Sequence, residues 1–142
     1  MEFGALFAFV ILMNPPFGQT RTRIAARHAL IAPDGHVKSN VPGITGAATI
    51  ILINEAMGAK FTQLLVTFEK AGRATFRQAD IETFGYVMSG EAMLMLAGKR
   101  ERCTAGGFFY AAAGQVCELS APRAGTQMTI FQKRFVALPG TA

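Results

Sequence analysis

From residue 48 onward the chain consists of short apolar runs separated by glycine-containing turns. The β-branched and aromatic residues in these runs favour strands, and turn residues bound them. They predict six strands, at residues 49–54, 61–68, 83–89, 92–96, 108–111 and 128–135. No segment there repeats apolar residues at the i, i+3, i+4, i+7 spacing of an amphipathic helix. The pattern predicts one all-β domain whose sheets close into a sandwich or jelly roll.

The first part of the chain has a different character. Residues 1–16 are an apolar N-terminal extension, shorter than the roughly 20 residues that span a bilayer and without the basic start of a signal peptide. Residues 17–47 are a basic arm in which Pro33-Asp34-Gly35 is a strong turn signal. We therefore expect an extended arm before a β-barrel at residues 48–142, and no membrane anchor.

Composition and charge favour a folded chain without a nucleic-acid partner. Of 142 residues, 51% are hydrophobic and 16% charged, so burial can offset the ordering entropy. The net charge is +5, yet no basic run carries the interleaved aromatics of a single-strand-binding surface. Cys103 and Cys117 have neither a CxxC spacing nor a disulfide framework. Two reduced thiols favour a cytoplasmic location.

Two glycine-anchored blocks, separated by a short hairpin, resemble the two motifs of the cupin superfamily of jelly-roll barrels. The first motif sets two histidines and a glutamate between glycines, and Gly72 and Gly90 fit its ends. No alignment of this motif with the sequence between Gly72 and Gly90 places histidine or glutamate at all of its ligand positions. The ligand positions hold Arg77, Ala79 and Thr83 in one register, Phe76 and Gln78 with a longer spacer, and Gln78, Asp80 and Phe84 or Gly85 when counted from Gly72.

The second motif keeps its glycines at Gly106 and Gly114, whereas Ala112, Cys117 and Ala121 stand at its proline, histidine and asparagine. The resemblance therefore implies a cupin scaffold in which every expected ligand is replaced. We expect no metal-binding, cofactor-binding or catalytic residue in this chain. The degenerate pocket positions are Arg77, Gln78, Asp80, Thr83 and Cys117.

Each candidate has a plain structural interpretation. Cys117 is expected to point into the barrel, where a buried thiol behaves as a small apolar side chain. Asp80 and Glu82 alternate onto one face of a strand, and a solvated face is expected there rather than a carboxylate pair. Arg77 is a candidate for binding an anion, against the commoner surface arginine. The two histidines, at positions 28 and 36, lie in the arm before the barrel. Metal ligation is the lesser alternative for them, and the resemblance to two-barrel cupins implies that their loop packs against the neighbouring cupin.

A closer resemblance covers the chain from about residue 17 to residue 136. The strings at 17–23, 27–36, 81–90 and 133–135 are similar, in the same order, to the N-terminal half of the (S)-ureidoglycine aminohydrolase family, the bicupins of allantoin breakdown. The resemblance implies a manganese-dependent release of ammonia from ureidoglycine to give ureidoglycolate. It also implies that the metal ligands lie in the C-terminal cupin, so this chain corresponds to the metal-free, structural half.

The implied partner is a second cupin domain, or a further copy of the chain in a homo-oligomer, because a half-bicupin exposes the apolar face that its sister barrel covers. The alternative is a stand-alone, metal-free, single-domain cupin that binds a small ligand or a protein partner. A second cupin reading frame immediately downstream would favour the first interpretation.

Overall fold

The computed structural model describes residues 20–140 of the chain, and its contacts divide the chain into two compact units, residues 1–37 and 38–142. The predicted apolar extension at residues 1–16 lies outside the described residues. The described part of the first unit contains a small antiparallel pair, β1 (Arg23–Ile24) and β2 (Ala29–Leu30).

The Pro33–Gly35 segment of the first unit forms a single turn of 3-10 helix. Asp34 binds the first described residues of the unit to this turn. The Thr20 hydroxyl donates to Asp34 Oδ1 at 2.7 Å, and the backbone N–H and Nε of Arg21 donate to the same carboxylate. These hydrogen bonds, that of Thr20 first, lower the pKa of Asp34 because they favour its charged form.

Eight antiparallel strands build the second unit. They are β3 (Ile44–Ile53), β4 (Thr62–Phe76), β5 (Ile81–Ser89), β6 (Glu91–Leu96), β7 (Lys99–Thr104), β8 (Phe108–Ala111), β9 (Cys117–Ser120) and β10 (Gln127–Arg134). Their order is β7-β6-β9-β4-β10-β5-β8, and β3 also pairs with β4. The all-β prediction is confirmed. No helix among residues 20–140 is long and apolar enough to cross a membrane.

Strand β4 bends and so contributes to both faces of the barrel. Its first half pairs with β10, and its last four residues, from Arg73 to Phe76, pair with β9. The bend lies at Ala71, which has a φ of 54°, and at Gly72, where a Cβ would overlap the Phe68 ring. Strand β4 thus extends past the predicted run at residues 61–68 and includes Gly72, because glycine here permits close packing within a bent strand.

Apolar side chains fill the barrel, since alternate residues of its strands point inwards. Phe109 occupies the space above Gly85, where a Cβ would overlap its ring. The cluster of buried residues comprises Leu64, Val66, Phe68, Ala74, Phe76, Val87, Ala92, Leu94, Cys103, Phe109, Ala111, Cys117, Leu119, Ala121, Met128 and Ile130. This packing leaves an apolar interior at the place where a ligand-binding barrel would need polar groups.

The chain crosses between the barrel faces at Gly90. Strand β5 pairs with β8 and β10, whereas β6 pairs with β7 and β9. Thr126, only 2% exposed, fastens this crossing: its hydroxyl accepts from the Glu91 N–H at 3.2 Å and donates to the Glu91 carbonyl at 2.8 Å. The predicted hairpin between the two glycine-anchored blocks is β6–β7, and it turns at Ala97 and Gly98, both with positive φ.

Thr126→Val is expected to lower the free energy of unfolding by about 1–3 kcal/mol, because it leaves two backbone groups of Glu91 without their partner at a buried site. Thr126→Ser keeps the hydroxyl and is the matched control, losing only a methyl group. Urea denaturation followed by circular dichroism measures both variants. Equal losses in the two variants would contradict a role for the hydroxyl.

Candidate functional site

Two of the degenerate cupin positions, Thr83 and Cys117, lie buried inside the barrel. The Thr83 hydroxyl accepts a hydrogen bond from Gln132 Nε2 at 3.4 Å. Cys117 is fully buried, opposite Phe76 in the pairing of β9 with β4. Burial, with a smaller contribution from the Glu118 charge, raises the pKa of Cys117 to about 12. The thiol is therefore neutral at physiological pH.

The other positions lie at the surface and do not converge with the buried pair. Arg77 and Gln78 line one open depression of about 340 Å³ beside Gln132. Arg77 Nη2 also donates to Glu118 Oε1 at 2.9 Å. Asp80 accepts a hydrogen bond from Arg134 Nη1 at 2.6 Å. The structure thus brings Arg77 and Gln78 together and engages Asp80 in a separate ion pair.

Asp80 and Glu82 do not share a site, because each carboxylate has its own partners. Asp80 is paired with Arg134, whereas Glu82 accepts a hydrogen bond from the Tyr110 hydroxyl at 2.9 Å and lies 3.9 Å from Lys133 Nζ. The bond to Glu82 raises the pKa of Tyr110, since a neutral phenol is needed to donate it. Both acidic groups act in structural contacts.

The described barrel does not fit a manganese ion. Manganese favours several oxygen or imidazole ligands that converge on one point. The interior positions hold a phenyl ring, a hydroxyl and a neutral thiol, from Phe76, Thr83 and Cys117. Among residues 20–140, no group of three His, Cys, Asp or Glu side chains could hold a metal. The donor set that the implied chemistry needs is missing from this barrel.

An aromatic row crosses strands β10, β5 and β8, and sequence reasoning missed it. The row consists of Phe61, Phe131, Phe84 and Phe108, whose successive ring centroids are 6.1, 6.2 and 5.8 Å apart. Phe108 at its end is 70% exposed. The signal in the sequence is the alternation of exposed aromatics with buried residues on β5 and β8, but the row also needs the register of β10.

The sequence of the chain is similar to those of known enzymes. No protein-family model matches the chain. It is 33% identical over 117 residues to (S)-ureidoglycine aminohydrolase of Escherichia coli (strain K12), covering 80% of this chain and 45% of that protein. A probable (S)-ureidoglycine aminohydrolase of Oryza sativa subsp. japonica is 26% identical over 124 residues, covering 87% of this chain and 40% of the relative. The chain thus spans about half the length of the curated relatives it matches.

Solved structures agree with the sequence comparison. The crystal structure of the protein Ylba from E. coli superposes with a TM-score of 0.80 at 31% identity, over 87% of this chain and 53% of that one. A cupin 2 conserved barrel domain protein from Salinispora arenicola CNS-205 has a TM-score of 0.54 at 18% identity, over 61% and 75% of the two chains. The chain therefore has the cupin fold, and its predicted resemblance to one half of an (S)-ureidoglycine aminohydrolase is confirmed.

Proposed function

We propose that the chain is the non-catalytic cupin half of an (S)-ureidoglycine aminohydrolase, which binds and stabilises a second cupin barrel. In this proposal the second barrel carries the manganese and the groups that act on ureidoglycine. The observation that supports it is the apolar interior, where Phe76, Thr83 and Cys117 stand in place of metal ligands. Such a barrel is stable as a scaffold but has no group to activate a substrate.

The aromatic row is the proposed contact face for the second barrel. Phe108 is 70% exposed and Tyr110, beside it on β8, is 53% exposed. Aromatic side chains of this kind supply much of the binding energy at protein interfaces. The relatives are about twice as long as the matched segment, and the remaining length suffices for one more domain of this size. A chain without that domain is expected to pair with a second copy through the same face.

A cytoplasmic location belongs to the same proposal. Cys103 and Cys117 are both free and both buried. Free thiols are the rule in compartments that glutathione and thioredoxin keep reducing. Two free thiols and no disulfide among the described residues support a reducing compartment.

The decisive experiment mixes the chain with the separately expressed half of the E. coli enzyme that it does not match, loaded with manganese. Ammonia release from ureidoglycine is measured for each component and for the mixture. The chain alone is expected to release no ammonia above the spontaneous rate, because its barrel lacks the groups for proton transfer and metal binding. The mixture is expected to turn over substrate faster than the other half alone.

Paired variants show whether the aromatic row carries the contact. Phe108→Ser is expected to reduce the stimulation of ammonia release in the mixture and the amount of complex between the two halves seen by light scattering. Val116→Ser, which alters another exposed apolar residue outside the row, is the matched control and is expected to change neither. Metal-dependent ammonia release by the isolated chain would overturn the structural-half proposal.

A stand-alone cupin that binds a small ligand is the second candidate function. It is favoured by an arginine-lined depression of about 340 Å³ on the outside of the barrel. The two candidates differ in their association state. A clean monomer at tens of micromolar, together with ligand binding in the absence of a second cupin, would favour the stand-alone function.

A further inference from the structure

An open depression of about 340 Å³ lies across the outer face of strands β4, β9, β6 and β7. Arg73 and Arg77 of β4 stand on one side of it, and Arg100 of β7 stands on the other. Met93 and Met95 of β6 lie between them. We call this feature the basic trough. It is separate from the barrel interior, which the inward-facing residues of the same strands fill.

The strand register fixes the arrangement of the basic trough. One row across the sheet runs from Arg73 to Ser120 and then to Met93. The next row ends with Met95 opposite Arg100. Since neighbouring strands lie about 4.8 Å apart, the backbones of β4 and β7 are roughly 14 Å apart. Positive side chains therefore stand on both sides of a mixed floor, in which Met93 and Met95 of β6 lie beside Glu118 and Ser120 of β9.

The charges in the basic trough are only partly compensated. Arg77 is paired with Glu118 at 2.9 Å. Arg73 and Arg100 form no ion pair and no side-chain hydrogen bond with any residue in the described range 20–140. Two guanidinium groups on opposite sides thus keep all of their donors available. Guanidinium groups bind carboxylate and phosphate oxygens with two parallel hydrogen bonds.

We propose that the basic trough binds a small organic dianion with an acidic group at each end and an aliphatic middle. Arg73 pairs with one acidic group and Arg100 with the other. The thioethers of Met93 and Met95 contact the carbon chain between them, since methionine adapts to apolar ligands of varied shape. The site is independent of the structural-half proposal, because it needs neither a metal nor a second barrel.

Succinate and inorganic phosphate serve as probes, titrated separately into the purified chain at low salt by calorimetry. Succinate is expected to bind saturably, and to bind more weakly as salt rises because exposed charges are screened. Arg73→Gln and Arg100→Gln are each expected to weaken succinate binding about tenfold, since each removes a charged hydrogen-bonding group. Phosphate, with one acidic group, is expected to lose affinity in only one of the two variants.

Lys60→Gln is the matched control, because it removes one exposed positive charge outside the basic trough. It is expected to leave succinate affinity within about twofold, as screened distant charges contribute little. Methyl signals of Met93 and Met95 in the unaltered chain provide a test that needs no variant to fold. Succinate is expected to shift both signals. Absence of saturable binding, an equal loss in the Lys60 variant, or shifts confined to other methyl groups would overturn the proposal.

Discussion

Cys117 is expected to react with iodoacetamide about a thousandfold more slowly in the folded chain than in the unfolded chain at pH 8. The thiolate is the reactive form. Burial and the Glu118 charge raise the pKa of Cys117 to about 12, from a usual value of 9.0. A difference of about three pH units lowers the thiolate population roughly a thousandfold. Mass spectrometry of the labelled peptide, with and without urea, measures the ratio.

The same pKa determines how Cys117 affects stability at alkaline pH. The unfolded chain ionises this thiol near its usual pKa of 9.0, whereas the folded chain retains the proton up to about 12. Its contribution to stability is therefore fully present below about pH 9 and is lost as the pH rises from about 9 to 12.

The control for the labelling experiment is the thiol introduced by Thr104→Cys, at an exposed position of β7, which should react rapidly with iodoacetamide in the folded chain. Equally rapid labelling of Cys117 would contradict its buried, neutral state.

The apolar strands of the barrel could be predicted from the sequence, whereas two of its polar or short strands could not. Glycine-bounded apolar runs predicted segments of β3, β4, β5, β6, β8 and β10. The extent of β7, the second arm of the predicted hairpin, was not predicted because its residues Lys99–Arg102 are all exposed and charged, as suits the edge of a sheet. Strand β9 was missed because its four residues, Cys117–Ser120, include no β-branched or aromatic side chain, whereas the equally short β8 is rich in aromatics. Strands β7 and β9 both pair with β6, one on each of its sides, and this pairing determines their positions.

The basic trough and the aromatic row combine side chains from segments that are far apart in the sequence, so the sequence alone did not predict these sites. Motif spacing alone directed attention to Cys117, because one strand and its turn determine which way that residue points. Arg73 and Arg100, in contrast, face each other across two intervening strands. The contact of Phe84 with Phe131 likewise joins β5 to β10 across a long stretch of sequence. Pairing between strands that are distant in the sequence creates both the facing arginines and the aromatic contact. The strand boundaries alone do not determine which strands pair.

Manganese is expected to leave the purified chain completely on gel filtration, so that elemental analysis finds far less than one ion per chain. Binding would require a charged or strongly polar ligand set in the barrel interior, where Phe76 and Cys117 lie opposite each other. Moving a hydrated cation into such an apolar site without ligands costs far more than any remaining contact returns. The Cys117 thiol does not offset this cost, since one soft sulfur ligand does not suit manganese, which favours several oxygen or imidazole ligands.

The surface carboxylates offer no better site for the metal. Asp80 already accepts a hydrogen bond from Arg134 at 2.6 Å, and a cation would have to displace that guanidinium without a second carboxylate to assist it. Asp80→Ala and Cys117→Ala are therefore expected to leave the metal content unchanged at its low level. One manganese, zinc or iron ion per chain, lost in either variant, would contradict the assignment of this barrel as metal-free. It would also move the search for the catalytic groups from the half of the relatives that this chain does not match to this barrel.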